Sequence, residues 1–328
     1  MTTDEQGPVI VCGADDAYAA PMTVMLRSLQ DHLVRYPKSQ VYVLDNGMGR
    51  SSRRRVAASL DASRLALTWI KVQIPRDRYP VSGHISSAAY ARIFIPDLLP
   101  QACHKAIYLD CDMVCNSDIG ELWDTPMGGK ALLAVPEEGP LVGSSLPGCR
   151  ELGIAPDARC LNSGVLVMDL AIWRQRRYRP KIEAYLHKYG AEIRFWDQDA
   201  INAVLAQDWA ELDREWNRRV VPSEAVPAKD APRIVGQLRT SARIIHYAAA
   251  VKAWDPDAVH PGISFFHEWL DRTQWKGWRP RPRRRSWSQR VLMVRRFLVN
   301  APITGRLWRT VGPIIRPGKV DGNERRSV

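Results

Sequence analysis

The stretch Ala106-Ile107-Tyr108-Leu109-Asp110-Cys111-Asp112 is an apolar run that ends in two carboxylates one residue apart. Such a run, bounded by polar residues, is typical of a strand buried on both faces of an α/β sheet. Ligands of these sheets bind beyond the carboxyl ends of the strands. Side chains two apart on a strand point to one face, so Asp110 and Asp112 are expected to share one divalent cation. The alternative is a solvated turn.

The chain around this stretch alternates between short apolar runs and amphipathic patterns, as in α/β folds. Residues 9–72 predict a β-α-β-α-β unit of the doubly wound kind. Irregular connections are expected at 75–87, 136–159 and 220–239, and a loop as long as 136–159 is usually functional. The predicted strands cover 9–12, 40–44, 65–72, 131–135, 160–169 and 243–246. Helices are predicted at 52–60, 88–99 and 173–189, and two more are predicted to begin at Pro21 and near Asp197.

Net charge divides the chain into two parts. The 328 residues carry a formal charge of +12, but residues 276–328 hold 15 Lys and Arg against 2 Asp and Glu, which leaves residues 1–275 at −1. A nucleic-acid-binding fold would itself carry the basic surface, so the near-neutral body argues against that class. We therefore expect one domain at 1–275 and a basic C-terminal tail at 276–328.

The cysteines and the apolar segments bear on location. The six cysteines show no CxxC pair or zinc-ribbon spacing, so buried free thiols are expected rather than a metal cluster or a disulfide scaffold. The first residues lack the basic and apolar regions of a secretory signal, and no apolar stretch of about 18 residues is present. We expect a reducing, cytoplasmic location.

Several further segments carry polar residues suited to ligand binding. Asp15 follows the first predicted strand, where α/β folds receive nucleotides and a carboxylate can accept hydrogen bonds from a base or ribose. Asn162 lies at the head of an apolar strand and indicates either a turn or a ligand contact. Asp197 opens a predicted helix, for which capping is the alternative role.

The segment that begins at His246 is more specific. A histidine that ends a strand, with Lys252 six residues later, could bind a metal ion and a phosphate in one loop. Together with Asp110 and Asp112, His246 would complete an O,O,N ligand set suited to manganese.

Six motifs follow one another along the chain: GADDAY from 13, YAR from 90, YLDCDMVCNSDIGELWD from 108, LNSGVLVMDLAIWR from 161, WDQDAIN from 196 and HYAAAVKAW from 246. This series resembles that of family 8 glycosyltransferases, the retaining enzymes that include lipopolysaccharide galactosyltransferases and glycogenin. The resemblance covers about residues 8–256. It implies a GT-A fold, with a Rossmann-like mixed β-sheet flanked by helices, and a UDP-hexose donor bound with Mn²⁺ or, alternatively, Mg²⁺.

The resemblance also implies roles for individual residues. Asp110, Asp112 and His246 match the metal ligands, and Lys252 matches the lysine on the diphosphate. The remaining donor-binding residues are Gly13, Asp15 and Tyr18 at the nucleoside, Arg92 on the donor, Asn162, Asp197 and Gln198 around the transferred sugar, and Cys111 and Ala249 beside the metal ligands. Asn162, Asp197 and Gln198 are the predicted catalytic residues.

Two positions depart from the family pattern. Ala17 stands where many members have Asn, and Ala249 stands where a glycine lets the backbone approach the phosphate. These departures keep open a nucleotide-sugar-binding protein without transferase activity as the alternative function.

Retention of configuration raises the question of a nucleophile. Gln198 matches the position beneath the sugar ring, and an amide is a poor nucleophile, so we expect attack on the face that the diphosphate leaves. The expected acceptor is a saccharide or glycolipid, with His84 and Glu137 or Glu138 as candidate contacts. Glucose and galactose both remain open as the donor sugar.

The basic tail has an amphipathic pattern. Trp287, Val291, Val294 and Leu298 fall on one helical face among basic residues, which suits attachment to an anionic inner membrane surface. The alternative is a disordered, solubilising extension. No nucleic-acid partner is expected.

Overall fold

The apolar run that begins at Ala106 forms the middle strand of a central sheet. The computed structural model describes residues 7–75, 79, 87–138, 143–220, 230–256, 258 and 261–279, with the backbone alone at 87 and 88. These residues belong to a compact unit, Met1–Pro280. His84 and the tail residues from 280 onward lie outside the described residues.

Ten strands form two sheets. They are β1 (Val9–Ala14), β2 (Ser39–Asp45), β3 (Leu65–Lys71), β4 (Lys105–Leu109), β5 (Met113–Cys115), β6 (Leu132–Pro136), β7 (Leu161–Asp169), β8 (Trp209–Glu211), β9 (Arg218–Arg219) and β10 (Ile244–His246) among the described residues. The large sheet has the order β3-β2-β1-β4-β7-β6-β8, and the small sheet has the order β5-β10-β9. In the large sheet β1 is parallel to β2 and β4, whereas β7 is antiparallel to β4 and β6. The expected mixed, Rossmann-like sheet is confirmed.

Helices cover the large sheet. They are α1 (Ala19–Asp31), α2 (Arg50–Ala58), α3 (Ile95–Leu98), α4 (Ile119–Trp123), α5 (Leu170–Gln175), α6 (Tyr178–Tyr189), α7 (Trp196–Val204), α8 (Ala231–Thr240) and α9 (Ile263–Leu270), with 3₁₀ turns at Asp16–Tyr18, Ser87–Phe94, Gly143–Ser145 and Arg214–Asn217. Described helices include none that is long and apolar enough to cross a membrane. All six cysteines are free thiols.

Burial on both faces explains the apolar run of β4. Ile107 and Leu109 pack into one core with α1 residues such as Met25. Ala106 and Tyr108 pack into a second core on the opposite face, which also receives Trp173 from α5 and residues of α6 and α7. A strand between two helical layers must be apolar at every position, so β4 shows no polar alternation.

Three predicted elements differ from the structure. The helix predicted at 88–99 is a 3₁₀ turn followed by α3, where Pro96 occupies the first turn of a new helix. The helix predicted at 173–189 is interrupted at Arg177, whose φ of 53° is left-handed. Pro180 lacks the N–H that a continuous helix would need at that turn. The connection predicted as irregular at 220–239 contains most of α8.

Candidate active site

A cleft of about 540 Å³ opens where β1 and β4 end, at the edge of the sheet where α/β folds bind ligands. The predicted site residues that line it are Gly13, Asp15, Tyr18, Arg92, Asp110, Cys111, Asp112, Asn162, Asp197, Gln198, His246 and Lys252. The acceptor candidates Glu137 and Glu138 line it as well. Ala248 and Ala250 also line the cleft, whereas Ala249 is not among the lining residues in the described part of the chain.

Asp110 and Asp112 approach each other in a turn. The prediction that alternation along one strand brings the two carboxylates together is therefore wrong. β4 ends at Leu109, and the next strand, β5, begins only at Met113 in the small sheet. β5 pairs with β10 so that Met113 lies opposite His246. His246 Nε2 thereby lies 3.2 Å from Asp112 Oδ1 and 3.8 Å from Asp110 Oδ2.

The three side chains fit a divalent cation. Each offers one ligand atom, and these atoms all lie within 4.8 Å of one another. Two carboxylate oxygens and one imidazole nitrogen suit an ion such as Mn²⁺. Gly164 of β7 leaves them room, because a Cβ there would lie 2.5 Å from His246 Cε1 and 3.0 Å from Asp110 Oδ2.

Lys252 lies on the other side of Asp112. Its Nζ donates to Asp112 Oδ2 at 2.6 Å and to the Tyr247 carbonyl at 3.3 Å. Burial alone would raise the pKa of Asp112, but Lys252 and His246 outweigh it and hold that pKa well below its ordinary value. Asp112 is therefore an anion at neutral pH, and the loop after β10 concentrates positive charge beside it.

Arg92 is buried between two carboxylates. Its Nη2 lies 3.0 Å from Asp110 Oδ1, and its Nε lies 3.0 Å from Asp197 Oδ2. Its Nη1 donates to the Ser163 carbonyl, which joins the 3₁₀ turn to β7. Burial raises the pKa of Asp197 to about 6, and the partly opposing effect of Arg92 keeps it from rising further.

The carboxylate of Glu137 organises the polar wall of the cleft. Its Oε2 accepts hydrogen bonds from Asn162 Nδ2 at 2.7 Å and Gln198 Nε2 at 3.3 Å, and its other oxygen pairs with Arg219. Gln198 Oε1 accepts from the Ser163 N–H at 3.0 Å. The amide groups predicted to surround the transferred sugar are therefore held in fixed orientations.

Two residues in or behind this wall were not predicted from the sequence. Arg219 lines the cleft, and Asn217 bonds to both Asn162 and His246 from behind it. Both flank or form β9, which has two residues and follows a 3₁₀ turn. A strand that short gives no alternation pattern, so no local signal distinguishes these residues from surface ones.

The predicted nucleoside residues lie beside the turn that carries Asp110 and Asp112. Asp15 Oδ1 accepts from the Tyr18 N–H at 3.2 Å and so caps a 3₁₀ turn. The Tyr18 ring packs edge-on against Trp254 at 5.4 Å. The Cys111 thiol donates to the Gly13 carbonyl at 3.1 Å, which ties the turn after β4 to the end of β1.

Similarity to known proteins agrees with this arrangement. The sequence model of Glycosyl transferase family 8 matches residues 9–258. General stress protein A of Bacillus subtilis (strain 168) is 27% identical over 286 residues, which cover 84% of this chain and 96% of that protein. Lipopolysaccharide 1,2-glucosyltransferase of Escherichia coli (strain K12) is 23% identical over 248 residues, with coverages of 75% and 73%.

Solved structures show the same fold. The galactosyltransferase LgtC in complex with donor and acceptor sugar analogs matches with a TM-score of 0.67 and 25% identity, over 81% of this chain and 96% of that one. The mixed sheet with a cleft at its carboxyl edge defines a glycosyltransferase of the GT-A class. The chain belongs to glycosyltransferase family 8.

Proposed function

We propose that the protein transfers a hexose, glucose or galactose, from a UDP-sugar to a saccharide or glycolipid acceptor with retention of configuration. The observation that carries this proposal is the convergence of Asp110, Asp112 and His246 beside Lys252 in the cleft. A sugar diphosphate needs cationic partners when it departs, and this end of the cleft gathers the groups that provide them.

Departure of UDP places negative charge on the diphosphate. A cation such as Mn²⁺ held by Asp110, Asp112 and His246 would stabilise that charge as a Lewis acid. Lys252 contributes a fixed ammonium group at the same end of the cleft, 2.6 Å from Asp112. Ala249 does not line the described cleft, so its Cβ is compatible with this arrangement.

The sugar end of the cleft balances the opposite charge. Positive charge develops at the anomeric carbon, and the buried carboxylate of Asp197 stabilises it when ionised. Asp197 lines the cleft, and Arg92 Nε, 3.0 Å from Asp197 Oδ2, restrains the carboxylate there. Arg92 and Asn162 hold the neighbouring polar groups in place.

Same-face attack is the mechanism that the wall of the cleft supports best. Gln198 Oε1 already accepts from the N–H and the hydroxyl of Ser163, so it is a restrained amide oxygen rather than a free nucleophile. The diphosphate oxygen then takes the proton from the acceptor hydroxyl as the new bond forms. Complete loss of single-turnover transfer in Gln198→Ala, with UDP binding intact, would contradict this mechanism.

The acceptor side of the proposal rests on Glu138. Glu137 is engaged by Arg219, Asn162 and Gln198, whereas Glu138 is exposed at the cleft and its carboxylate has no partner among the described residues. Glu138→Gln should therefore raise the KM for the acceptor more than the KM for the donor.

We further propose a cytoplasmic enzyme that docks on an anionic membrane surface. The support is the composition of residues 276–328, with 15 basic and 2 acidic residues. A glycolipid acceptor would then be presented at that surface.

Release of UDP from a panel of nucleotide sugars tests the proposal. With a UDP-hexose we expect release that requires Mn²⁺, is abolished in Asp112→Asn, and persists in Asp124→Asn, a matched change at an exposed aspartate that pairs with Arg35. Binding of UDP without release from any sugar would favour the binding protein instead. Release that is undiminished by excess chelator would contradict the metal assignment.

A further inference from the structure

Asn217 is a buried amide behind the cleft, 4% exposed and absent from the cleft lining in the described part of the chain. It lies next to His246 because β9 runs parallel to β10, with Arg219 opposite His246 and the Val220 N–H donating to the His246 carbonyl at 2.9 Å. Its two amide atoms bond to different parts of the site, one to Asn162 and one to His246.

Hydrogen-bond chemistry fixes the orientation of each amide in this chain of contacts. The Gly164 N–H can only donate, so the Asn162 atom 3.0 Å away is the oxygen Oδ1. That same oxygen lies 2.7 Å from Asn217, which must therefore present its Nδ2. The nitrogen of the same Asn162 amide, Nδ2, donates to the Glu137 carboxylate at 2.7 Å, which independently requires this orientation of Asn162.

The orientation of Asn217 then determines which nitrogen of His246 carries a proton. With Nδ2 used on Asn162, only Oδ1 remains to face His246 Nδ1 at 2.7 Å. An amide oxygen accepts and never donates, so Nδ1 must carry the proton. Nε2 is then the nitrogen that faces Asp110 and Asp112 and can give its lone pair to a cation.

We infer that Asn217 is a positioning residue that accepts a hydrogen bond from His246 Nδ1, holds the proton on that nitrogen and so aims Nε2 at the metal site. The predicted effect on metal affinity rests on the proposed function. The proton on Nδ1 rests on the chain of hydrogen bonds alone. Partners that orient a metal-binding histidine in this way typically change metal affinity by about 10- to 100-fold when removed.

The protonation of His246 is measured by long-range ¹H–¹⁵N correlation on histidine-labelled protein, with and without diamagnetic Mg²⁺ and with His246→Gln for assignment. We expect a proton on Nδ1 in both samples of the wild type. An unprotonated Nδ1 would overturn the inference, whatever the metal affinity. This readout needs no substitution at Asn217 and still decides the matter if such a substitution prevents folding.

Affinity for Mn²⁺, measured by electron paramagnetic resonance of the free ion, is the second readout. Asn217→Leu should weaken binding about 10- to 100-fold, whereas Asn217→Asp, which keeps an acceptor for Nδ1, should bind within about threefold of wild type. Asn116→Leu is the matched control, because Asn116 follows β5 of the same small sheet and its side chain bonds, among described residues, only to the Leu238 and Ala242 carbonyls.

Equal Mn²⁺ affinity in Asn217→Leu and in a wild type that binds Mn²⁺ would overturn the inference. A wild type that binds neither Mn²⁺ nor UDP but carries the proton on Nδ1 would overturn the proposed function and leave standing the role of Asn217 in holding that proton. The two failures are therefore distinguishable.

Discussion

Gly164 gives the metal-binding side chains their room, because any side chain there would contact His246 and Asp110. A Cβ at 2.5 Å from His246 Cε1 forces the imidazole to move, so we predict that Gly164→Ala weakens Mn²⁺ binding by about tenfold or more. Titration of Mn²⁺ by electron paramagnetic resonance measures this change. Unchanged affinity would show that the imidazole is not held where the structure places it.

The matched control is Gly236→Ala in α8. A Cβ at Gly236 meets nothing within 4 Å, and alanine favours a helix over glycine by about 0.8–1.0 kcal/mol. We expect this variant to bind Mn²⁺ as the wild type does and to be somewhat more stable.

Asp197 should make the stability of the metal-free protein depend on pH. Burial raises its pKa to about 6 from the ordinary 3.8, so the folded state favours the protonated form. That stabilisation is complete below the ordinary pKa and is lost as the pH rises through about 6. Relative to wild type, Asp197→Asn should therefore gain about 2 kcal/mol in the free energy of unfolding between about pH 4.5 and about pH 7.5.

Urea unfolding at the two pH values measures this difference. A difference between the variant and wild type that stays constant with pH would show that Asp197 has an ordinary pKa in the folded protein.

Sequence reasoning found the residues of the site that lie in motifs with polar side chains at the ends of apolar strands. Asp110, Asp112, His246 and Lys252 were predicted on this basis, and the structure brings them together. Asn217 could not be found in this way, because its importance comes from pairing between β9 and β10, which is a contact between distant parts of the chain.

At the scale of elements, most strands of the large sheet and β10 of the small sheet were predicted, whereas β5, β8 and β9 were not. The strands β1 to β4, β6, β7 and β10 were predicted from apolar runs, whereas β5, β8 and β9 have only two or three residues and show no pattern. Yet the small sheet positions the site, because its pairing places His246 opposite Met113 and next to Asp112. The position of the aspartates was therefore predictable, and the reason for their convergence was not.

Arg174 of α5 stabilises the segment that leads into β4. Its guanidinium donates to five backbone carbonyls, those of Pro96, Leu99, Pro100, Gln101 and Cys103. A lysine cannot reproduce this planar array of donors. Arg174→Lys should therefore lower the free energy of unfolding by about 1–3 kcal/mol.

The cleft is not lined by Arg174 or by these carbonyl residues in the described part of the chain, so the KM for the donor should not change. Arg159→Lys is the control, because Arg159 is 63% exposed and pairs with Glu211 at the surface. We expect less than about 0.5 kcal/mol from that change. Equal effects of the two substitutions in denaturant unfolding would contradict the account of Arg174.

In the whole molecule, the cleft and the excess positive charge lie in different parts of the chain. The cleft lies in the unit Met1–Pro280, whereas the excess positive charge lies in residues 276–328. Deletion of residues 280–328 should abolish binding to anionic liposomes, since each basic residue near such a surface contributes about 1 kcal/mol. It should leave UDP release and the midpoint of thermal unfolding unchanged.

Sedimentation with anionic and neutral liposomes measures the binding. Equal binding of the full-length and shortened proteins to anionic liposomes would show that the tail is not the membrane-binding part.

Coupling between UDP and the divalent cation tests the central claim most directly. If Asp110, Asp112 and His246 hold a cation that contacts the diphosphate, each ligand must strengthen the binding of the other by the same factor. In a calorimetric titration of wild type we predict that Mn²⁺ tightens UDP binding about tenfold or more, equivalent to about 1.4 kcal/mol, and that Asp112→Asn removes this coupling. UDP binding of equal affinity with Mn²⁺ and with excess chelator would contradict the claim.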